Sequence, residues 1–433
     1  MIWDPKAECC SREDLERLQL SRLKDTLQMV YARVEHFRRS FDAHGVHPDQ
    51  LKTLDDLKRF PFLTKHEILD QYPFGMFAVP MSEVVRVHSS SGTTGHPLVV
   101  GYTKRDLEIW TEVVARLVCA AGVSSEDVVQ IAFSYGLFTG GFGLHYGLER
   151  VGATIVPASG GNTERQVRLM RDFGVTSLVC TPNYALHIAE VAREIGVDPH
   201  SLKLRWGLFG SEPWSEAIRS EIEANLGLFA TDNYGLSEVI GPGVSGECEH
   251  RCGLHISEDH FLVEVIDPET LEVLPEGEVG ELVFTTLSKE AFPVVRYRTR
   301  DISRITREPC ACGRTTARME RVRGRTDDML IVRGINVFPS QIEAVLLTVE
   351  GTEPHYQIIV DRKGRMDELE VWVEVSEQIF SDEWRQLAAI ERKIQKQLET
   401  VLGLSVRVKL VEPKSIERTV GKAKHVVDRR TLS

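Results

Sequence analysis

Ser89-Ser90-Ser91-Gly92-Thr93-Thr94-Gly95-His96-Pro97 is the stretch on which the reading of this chain turns. It follows an alternating apolar run with Val84, Val85 and Val87, which reads as a strand, and a second apolar run at 98–100 comes directly after it. Hydroxyls and glycines between two strands make a loop whose backbone can approach an anion closely, with several N–H and O–H donors aimed at it. The pattern predicts a phosphate-binding loop. It is not the common nucleotide loop, which would carry lysine where His96 stands and run straight into a helix. A Ser/Gly/Thr hairpin turn is the competing reading of the segment taken alone.

A chain of 433 residues exceeds one ordinary core, so two or more domains are expected. Apolar content of 42% and charged content of 27% fit a soluble globular protein of enzyme size. The net charge of −12 argues against broad binding to nucleic acid or anionic membrane, so any phosphate must be held by a local site. No apolar run approaches the length of a membrane span, and the start, Met1-Ile2-Trp3-Asp4-Pro5, lacks the basic and apolar regions of a signal peptide. A cytoplasmic protein is expected. Eight cysteines in a chain this long do not suggest a disulfide framework, and clustering among them points toward metal.

Residues 11–39 read as one long helix, capped by Ser11, with Leu15, Leu18, Leu23, Leu27, Val30, Val34 and Phe37 at helical spacing. From about 100 to 245, helical patterns alternate with short apolar strands at 128–133, 154–157, 177–180 and 204–209. This predicts βαβ units and a largely parallel sheet. Runs at 261–266 and 281–286 around Asp267-Pro268-Glu269 and Pro275-Glu276-Gly277 predict antiparallel hairpins. After the polar link Gly324-Arg325-Thr326-Asp327-Asp328, strand candidates at 355–360, 369–375 and 406–411 surround a helix from about 382 to 402. A small α+β domain accounts for this last segment.

Four further segments carry chemistry. Tyr234-Gly235-Leu236-Ser237-Glu238 combines an aromatic ring, a close-approach glycine and a carboxylate, which suits base stacking with Mg²⁺ coordination; a strand ending in a helix cap is the plainer reading. In Arg296-Tyr297-Arg298-Thr299-Arg300-Asp301, Asp301 could accept from two ribose hydroxyls, or the run could be a salt-bridged strand edge. Gly210-Ser211-Glu212-Pro213 lies between a strand and a helix, the ligand-facing position of an open α/β sheet. Arg418-Thr419-Val420-Gly421-Lys422-Ala423-Lys424 places lysines in a glycine-hinged loop, where a cation could neutralise developing phosphoryl charge, or simply form a solvated tail. Separately, Cys310 and Cys312 form a C-x-C knuckle that Cys248 and His255 would complete as a tetrahedral zinc site; Cys252 is nearby, and unpaired loop cysteines are the alternative.

Taken in order, Ser90-Ser91-Gly92-Thr93-Thr94-Gly95, Tyr234-Gly235-Leu236-Ser237-Glu238, Tyr297-Arg298-Thr299-Arg300-Asp301, Gly324-Arg325-Thr326-Asp327-Asp328 and Gly421-Lys422 resemble the core motifs of the adenylate-forming enzymes. That superfamily holds acyl-CoA synthetases, luciferases and peptide-synthetase adenylation domains. Within it, Trp3-Asp4-Pro5, residues 72–78, residues 135–141 and Asn336-Val337-Phe338-Pro339-Ser340-Gln341 make the chain similar to the phenylacetate–coenzyme A ligase family. The resemblance runs from residue 3 to about residue 428. It implies an α/β fold with a large N-terminal domain of mixed sheets and helices, residues 1–324, and a small mobile α+β domain, residues 325–433.

Carried over residue by residue, the resemblance implies that Ser90, Ser91, Gly92, Thr93, Thr94 and Gly95 grip the β- and γ-phosphates of ATP. Gly210, Ser211, Glu212, Pro213, Tyr234 and Gly235 belong to the nucleotide site, with Tyr234 against adenine, and Asp301 and Arg325 bind the ribose. Glu238 holds Mg²⁺, Asp327 is the hinge, and Lys422 bridges carboxylate and α-phosphate. Tyr135, Gly136, Phe138 and Gly140 line the acyl pocket, whose aromatic content suits an aryl acid. The subfamily resemblance favours a structural zinc on Cys248, His255, Cys310 and Cys312 over a set using Cys252, and a homodimer is expected. His96 departs from the lysine usual at its place and is expected to tune ATP affinity.

The expected reaction has two steps. A carboxylate attacks the α-phosphate of ATP, giving acyl-adenylate and pyrophosphate, and coenzyme A then displaces AMP. Free carboxylate is too poor an electrophile for a thiol, and the mixed anhydride supplies the leaving group. The alternatives are an adenylyltransferase of the deazaflavin-coenzyme type that stops at the AMP adduct, and a nucleotide-binding regulator without catalysis. The joint presence of Glu238 and Lys422 argues against the regulator.

Overall fold

The structure is a computed structural model describing residues 1–90, 96–328, 330–333, 335–363, 366–376, 379, 384–418 and 425–430. These fall into two compact units. The first comprises Met1–Cys180, His200–Ser211 and Leu228–Arg321; the second comprises Thr181–Pro199, Glu212–Gly227 and Val322–Ser433.

In the first unit the strands flanking the opening loop are present. β1 (Arg86–Ser89) pairs antiparallel with β2 (Val99–Tyr102), with Ser89 opposite Val99. Ser91, Gly92, Thr93, Thr94 and Gly95 lie outside the described residues. The long N-terminal helix expected from residue 11 to residue 39 is instead two helices, Arg12–Arg33 and Glu35–Ala43. Ser11 does cap the first, its hydroxyl accepting from the Asp14 N–H at 3.1 Å. The break falls at Val34, a β-branched residue held extended at φ −112°, ψ 110°. The second helix then turns Phe37 and Phe41 into the core with Leu23, Leu27 and Val30.

A nine-stranded sheet organises the rest of this unit. Its first half contains β3 (Val128–Ile131), β4 (Thr154–Val156), β5 (Ser177–Cys180), β6 (Trp206–Gly210) and β7 (Phe229–Leu236), parallel in the order β4-β3-β5-β6-β7. The largely parallel sheet read from the sequence ends there. β8 (Gly241–Glu247) turns back on β7, and β9 (Leu254–Ile256) follows antiparallel. Gly241-Pro242-Gly243 opens β8 with both glycines at positive φ and carries no alternating apolar signal, which is why the reversal is not visible as a strand in the sequence. β10 (Phe261–Ile266), β11 (Gly280–Thr286) and β12 (Tyr297–Ser303) form a separate antiparallel sheet, as the hairpin signals require. Two short strands, β13 (Ile305–Thr306) and β14 (Arg318–Met319), return to the large sheet beside β9.

Helices Lys104–Ala120 and Thr139–Val151 pack on each other and on β8. Trp110 anchors the contact: its ring stacks on Tyr102 at 4.8 Å, and its Nε1 donates to the Pro242 carbonyl at 2.8 Å. Gly147 lets the helices approach, since a Cβ there would lie 2.3 Å from Val114.

The second unit contains a four-stranded sheet in the order Arg407–Val411, Met366–Val375, Thr352–Lys363, Val426–Asp428. The two central strands are antiparallel and each outer strand is parallel to its neighbour. Helices Pro339–Leu346 and Trp384–Leu402 share its core, which includes Ile342, Leu346, Ile358, Val371, Ile394 and Leu398. The motif ending in Pro339-Ser340-Gln341 starts the first of these helices. Pro339 takes the first turn, where no N–H is needed, and the Gln341 side chain accepts from the Phe338 N–H at 3.0 Å. Helices Pro182–Glu194 and Glu216–Leu226 also belong to this unit. Among the described residues, no helix is long and apolar enough to cross a membrane.

Candidate active site

β6 ends at Gly210, and the next residue, Ser211, has φ 72°. Arg300, in β12, has φ 69°. Non-glycine residues in this region carry strain, and such strain collects where a fold serves a ligand. Between β6 and the end of β7 lies a cavity of about 110 Å³. Phe133, Phe138, Leu144 and Pro242 form its apolar wall, and Thr139, Ser211, Asn233 and Ser237 supply polar groups. The Thr139 and Ser237 hydroxyls are hydrogen bonded at 3.1 Å. Of the residues expected around the acyl group, Phe138 and Gly140 line this cavity. Tyr135 turns elsewhere: its hydroxyl meets His145 Nδ1 at 3.1 Å and its ring lies edge-on to Phe142. Gly136 does not line the cavity.

Two expected nucleotide residues meet directly. The Tyr234 hydroxyl donates to Asp301 Oδ2 at 2.6 Å, joining β7 to β12. Asp301 is held from its own strand by Thr299, whose hydroxyl accepts the Asp301 N–H at 3.0 Å. The cations before it are engaged in the sheet. Arg296 grips Glu264 at 2.9 and 3.0 Å, and Arg298 grips the enclosed Glu281 at 2.7 and 3.0 Å. The salt-bridged strand edge weighed against a ribose site is therefore present, and it leaves Asp301 facing Tyr234. Glu238, buried, accepts a hydrogen bond from the Tyr297 hydroxyl at 3.1 Å. A single carboxylate beside bound phosphates is a donor set that fits Mg²⁺.

Gly235 separates these groups for a geometric reason. A Cβ there would stand 2.0 Å from the Gly241 carbonyl oxygen, where β7 and β8 come closest. Tyr297 and Lys289 are polar members of this region that motif reading gave no role. Lys289 is buried, donates from Nζ to the Val239 carbonyl at 3.0 Å and lies over the Tyr102 ring at 4.5 Å. Burial pushes its ammonium down to about 8, against the opposing charges of Asp106 and Glu238. Its neighbours in the sequence, Ser288 and Glu290, are polar and give no sign of burial.

The other expected residues are distributed as follows. The Ser90 N–H donates to the Leu98 carbonyl at 3.0 Å, while its buried hydroxyl has no partner among the described residues. His96 stacks on Tyr72 with ring centroids 4.4 Å apart. In the second unit, Glu212 accepts from the Asn183 backbone at 3.0 Å and side chain at 2.9 Å, and Pro213 is exposed. Arg325 makes a bidentate pair with Asp327 at 2.8 and 2.9 Å, which brings together an expected ribose ligand and the expected hinge. Lys422 lies outside the described residues.

The cysteine cluster forms in the antiparallel half of the large sheet. Cys248 follows β8, His255 sits in β9 opposite Arg318, and Cys310 and Cys312 lie in the connection between β13 and β14. One ligand atom from each of the four lies within 4.8 Å of the others. Cys248 and Cys310 Sγ are 3.7 Å apart, and Cys312 Sγ is 3.3 Å from His255 Nε2. Edges of roughly 3.6–3.8 Å follow from tetrahedral zinc–sulfur and zinc–nitrogen bonds; the 3.7 Å sulfur–sulfur edge matches, the 3.3 Å sulfur–nitrogen edge is a few tenths short, and three thiols with one imidazole are a donor set that fits the ion. His255 Nδ1 faces the Thr316 hydroxyl at 3.2 Å, which fixes the ring and leaves Nε2 toward the sulfurs. Burial, with Arg314 and Arg318, pushes the imidazole down to about 3, keeping it neutral as a ligand must be. Cys252, exposed, comes within 3.3 Å of Cys310 but stands outside the four-residue group. All eight cysteines are free of disulfides.

Comparison with known proteins gives the family of the chain. Residues 61–288 match the family model of the AMP-binding enzymes, and residues 334–430 match that of the AMP-binding enzyme C-terminal domain. Fold and site thus define an adenylate-forming enzyme. The chain is 51% identical to the phenylacetate-coenzyme A ligase of Thermus thermophilus over 99% of its length and 100% of that protein's. It is 49% identical to the phenylacetate-coenzyme A ligase of Escherichia coli, over 98% of this chain and 97% of that one. The chain belongs to the phenylacetate–coenzyme A ligase family. Among solved structures, 2-hydroxyisobutyryl-CoA ligase in its postadenylation state, with 2-HIB-AMP, superposes with a TM-score of 0.93 at 30% identity, over 99% of this chain and 92% of that one. The same ligase in its thioesterification state gives 0.73 at 31% identity and the same coverage. Neither the adenylyltransferase nor the regulator is favoured by these relatives.

Gly235→Ala should lower stability by at least the roughly 1–3 kcal/mol typical of overpacking, because a backbone carbonyl cannot move aside as a side chain can. Denaturant unfolding measures it, and an unchanged midpoint would contradict the close approach of β7 and β8.

Proposed function

We propose that this chain is an AMP-forming ligase that activates phenylacetate as its acyl-adenylate and transfers the acyl group to coenzyme A. The observation that carries the reading is the apolar-walled cavity lined by Gly235 and Ser237, members of the segment that also carries Tyr234 and Glu238, within a chain about half identical to phenylacetate-coenzyme A ligases over nearly its full length. In this reading Ser90 to Gly95 hold the β- and γ-phosphates, and the Ser90 hydroxyl, without a partner among the described residues, is available to the nucleotide. Gly210 and Ser211 border the nucleotide beside Tyr234 and Gly235, and Asp301 exchanges its Tyr234 partner for ribose hydroxyls. Arg325, whose Nε and Nη2 are held by Asp327, is the second ribose ligand. Glu238, steadied by Tyr297, is the ligand for Mg²⁺, which when bound supplies positive charge at the phosphates.

Lys422 stands at the α-phosphate during adenylation, where charge develops as the carboxylate oxygen adds and pyrophosphate leaves. A preorganised cation there acts on the transition state more than on bound substrate. In the second step the coenzyme A thiolate adds to the acyl carbon, the anhydride C–O bond breaks, and AMP departs with the electron pair. The ring of the acid lies against Phe138 and Phe133, with Gly140 allowing close approach. A homodimer in the cytoplasm follows from the family resemblance. The Cys248, His255, Cys310 and Cys312 cluster holds one structural zinc, supported by its donor set, by the 3.7 Å sulfur–sulfur edge and by the Thr316 partner of His255.

Burial of an aryl ring stabilises by roughly 1.5–3 kcal/mol, so acetate should be at least about tenfold poorer than phenylacetate in kcat/KM. CoA-dependent AMP release measured with acetate, hexanoate, benzoate, phenylacetate and indoleacetate decides the matter. Alkyl acids that match phenylacetate would remove the aryl pocket.

Protein purified without added zinc should carry about one zinc per chain, and Cys310→Ser should lower thermal stability without selectively lowering turnover. Metal-free protein of full stability would refute the zinc site.

A further inference from the structure

Cys252 is the sulfur of the cysteine cluster that the zinc set leaves over. It stands outside the four-residue group, yet its Sγ lies 3.3 Å from Cys310 Sγ, closer than the 3.7 Å between Cys310 and Cys248 inside the group. Four sulfurs and one ring nitrogen therefore crowd a centre that a tetrahedral ion would satisfy with four donors. A surplus thiol in contact with a ligand sulfur has a chemistry of its own, because two thiols this close can be oxidised to a disulfide.

The two thiols differ in access. Cys252 is exposed, and Glu249 and His250 in the same turn are exposed with it. In that turn the Arg251 N–H donates to the Cys248 carbonyl at 3.0 Å, with Arg251 at φ 50° and Gly253 at φ 111°. Cys310 is only 7% exposed, and Cys248 is fully enclosed. The segment after Cys310 is fastened to the start of the chain: the Thr315 N–H donates to the Glu8 carbonyl at 3.0 Å, and Arg314 pairs with the Glu8 carboxylate. An oxidant arriving from solvent therefore meets Cys252 first, and Cys310 is the sulfur beside it. An accessible thiol next to a second thiol that can resolve it is the arrangement of a redox-responsive cysteine.

We propose that Cys252 and Cys310 form a thiol pair that a hydroperoxide converts to a disulfide, withdrawing Cys310 from the metal-binding set. The Cys252 thiolate attacks a peroxide oxygen, the O–O bond breaks, the leaving oxygen departs as water, and Cys252 becomes a sulfenic acid. The Cys310 thiolate then attacks that sulfur, the S–O bond breaks, and a second water leaves. Two thiols and one hydrogen peroxide thus give one disulfide and two waters, each sulfur losing one electron and the peroxide gaining two. The sulfurs must close from 3.3 Å to about 2.05 Å, a shift that falls to the exposed turn rather than to the fastened segment. Three donors then remain where a closed structural site uses four. Release of the ion rests on the zinc site proposed above; the disulfide does not.

The test exposes the full chain, as purified under reducing conditions, to hydrogen peroxide in the presence of a chromogenic zinc chelator. Remaining thiols are alkylated at intervals and the disulfides mapped by peptide mass spectrometry. The Cys252–Cys310 bond should appear at the rate at which zinc is released, and a phosphine reductant should reverse it. Cys252→Ser should carry the wild-type zinc content before peroxide is added and then lose zinc at least about tenfold more slowly, since the accessible thiol is gone. No disulfide, a disulfide joining Cys248 to Cys310 instead, or equal zinc release from the variant would overturn the thiol pair. A variant that lacks zinc before any oxidation would overturn it too, by making Cys252 a ligand. Protein that holds no zinc yet forms the Cys252–Cys310 bond would support the pair and overturn the zinc site alone.

Discussion

Glu281 is enclosed in the antiparallel sheet and accepts two hydrogen bonds from Arg298 and a third from the Arg300 N–H at 3.2 Å. The guanidinium of Arg300 lies 3.7 Å from the same carboxylate. The β11–β12 ladder shifts register between Glu281 and Val283, next to this cluster, and Arg300 takes its left-handed backbone there. A register shift bends a strand and re-aims its side chains. Here it turns Asp301 out of the sheet toward Tyr234 of β7. Removing one partner of such a buried pair costs roughly 3–5 kcal/mol, so the arrangement is costly to disturb. The juxtaposition of Tyr234, Asp301, Tyr297 and Glu238 depends on this one carboxylate, although it belongs to none of the motifs.

The parallel half of the large sheet was legible because β3, β5 and β6 are apolar runs between helical patterns, and their observed limits match those runs to within a few residues. The antiparallel half was not, because β8 is built from Gly241, Pro242, Gly243, Val244, Ser245 and Gly246, residues chosen for close packing against Trp110, Val113 and Leu117. Propensity cannot reveal a strand whose alternation is replaced by absent side chains. The break at Val34 was hidden for the opposite reason, since helical periodicity continues on both sides of it. At the site, Tyr234, Glu238 and Asp301 could be named because their motifs are specific in combination. Lys289 and Glu281 could not, because a buried charge is recognised by what surrounds it, and a linear sequence does not show its surroundings.

The chemistry divides along the chain. Tyr234, Glu238 and Asp301 belong to the first unit, whereas Arg325 and Asp327 belong to the second. A two-step ligase has reason for such a division, since the charge that develops at the α-phosphate in the first step is absent at the acyl carbon in the second. Groups that serve one step are best carried where they can be withdrawn for the other. The four side chains of the cysteine cluster are drawn together from the end of β8, from β9 and from the connection between β13 and β14, all within the first unit.

The central claim is that the acid is activated through attack of its carboxylate on the α-phosphate. Phenylacetate labelled with ¹⁸O in both carboxylate oxygens, incubated with ATP and coenzyme A, tests it most directly. One labelled oxygen should appear in the AMP released, with none in pyrophosphate, because the bridging oxygen of the anhydride comes from the acid and leaves with AMP. Label recovered in orthophosphate, with ADP as the nucleotide product, would contradict the account.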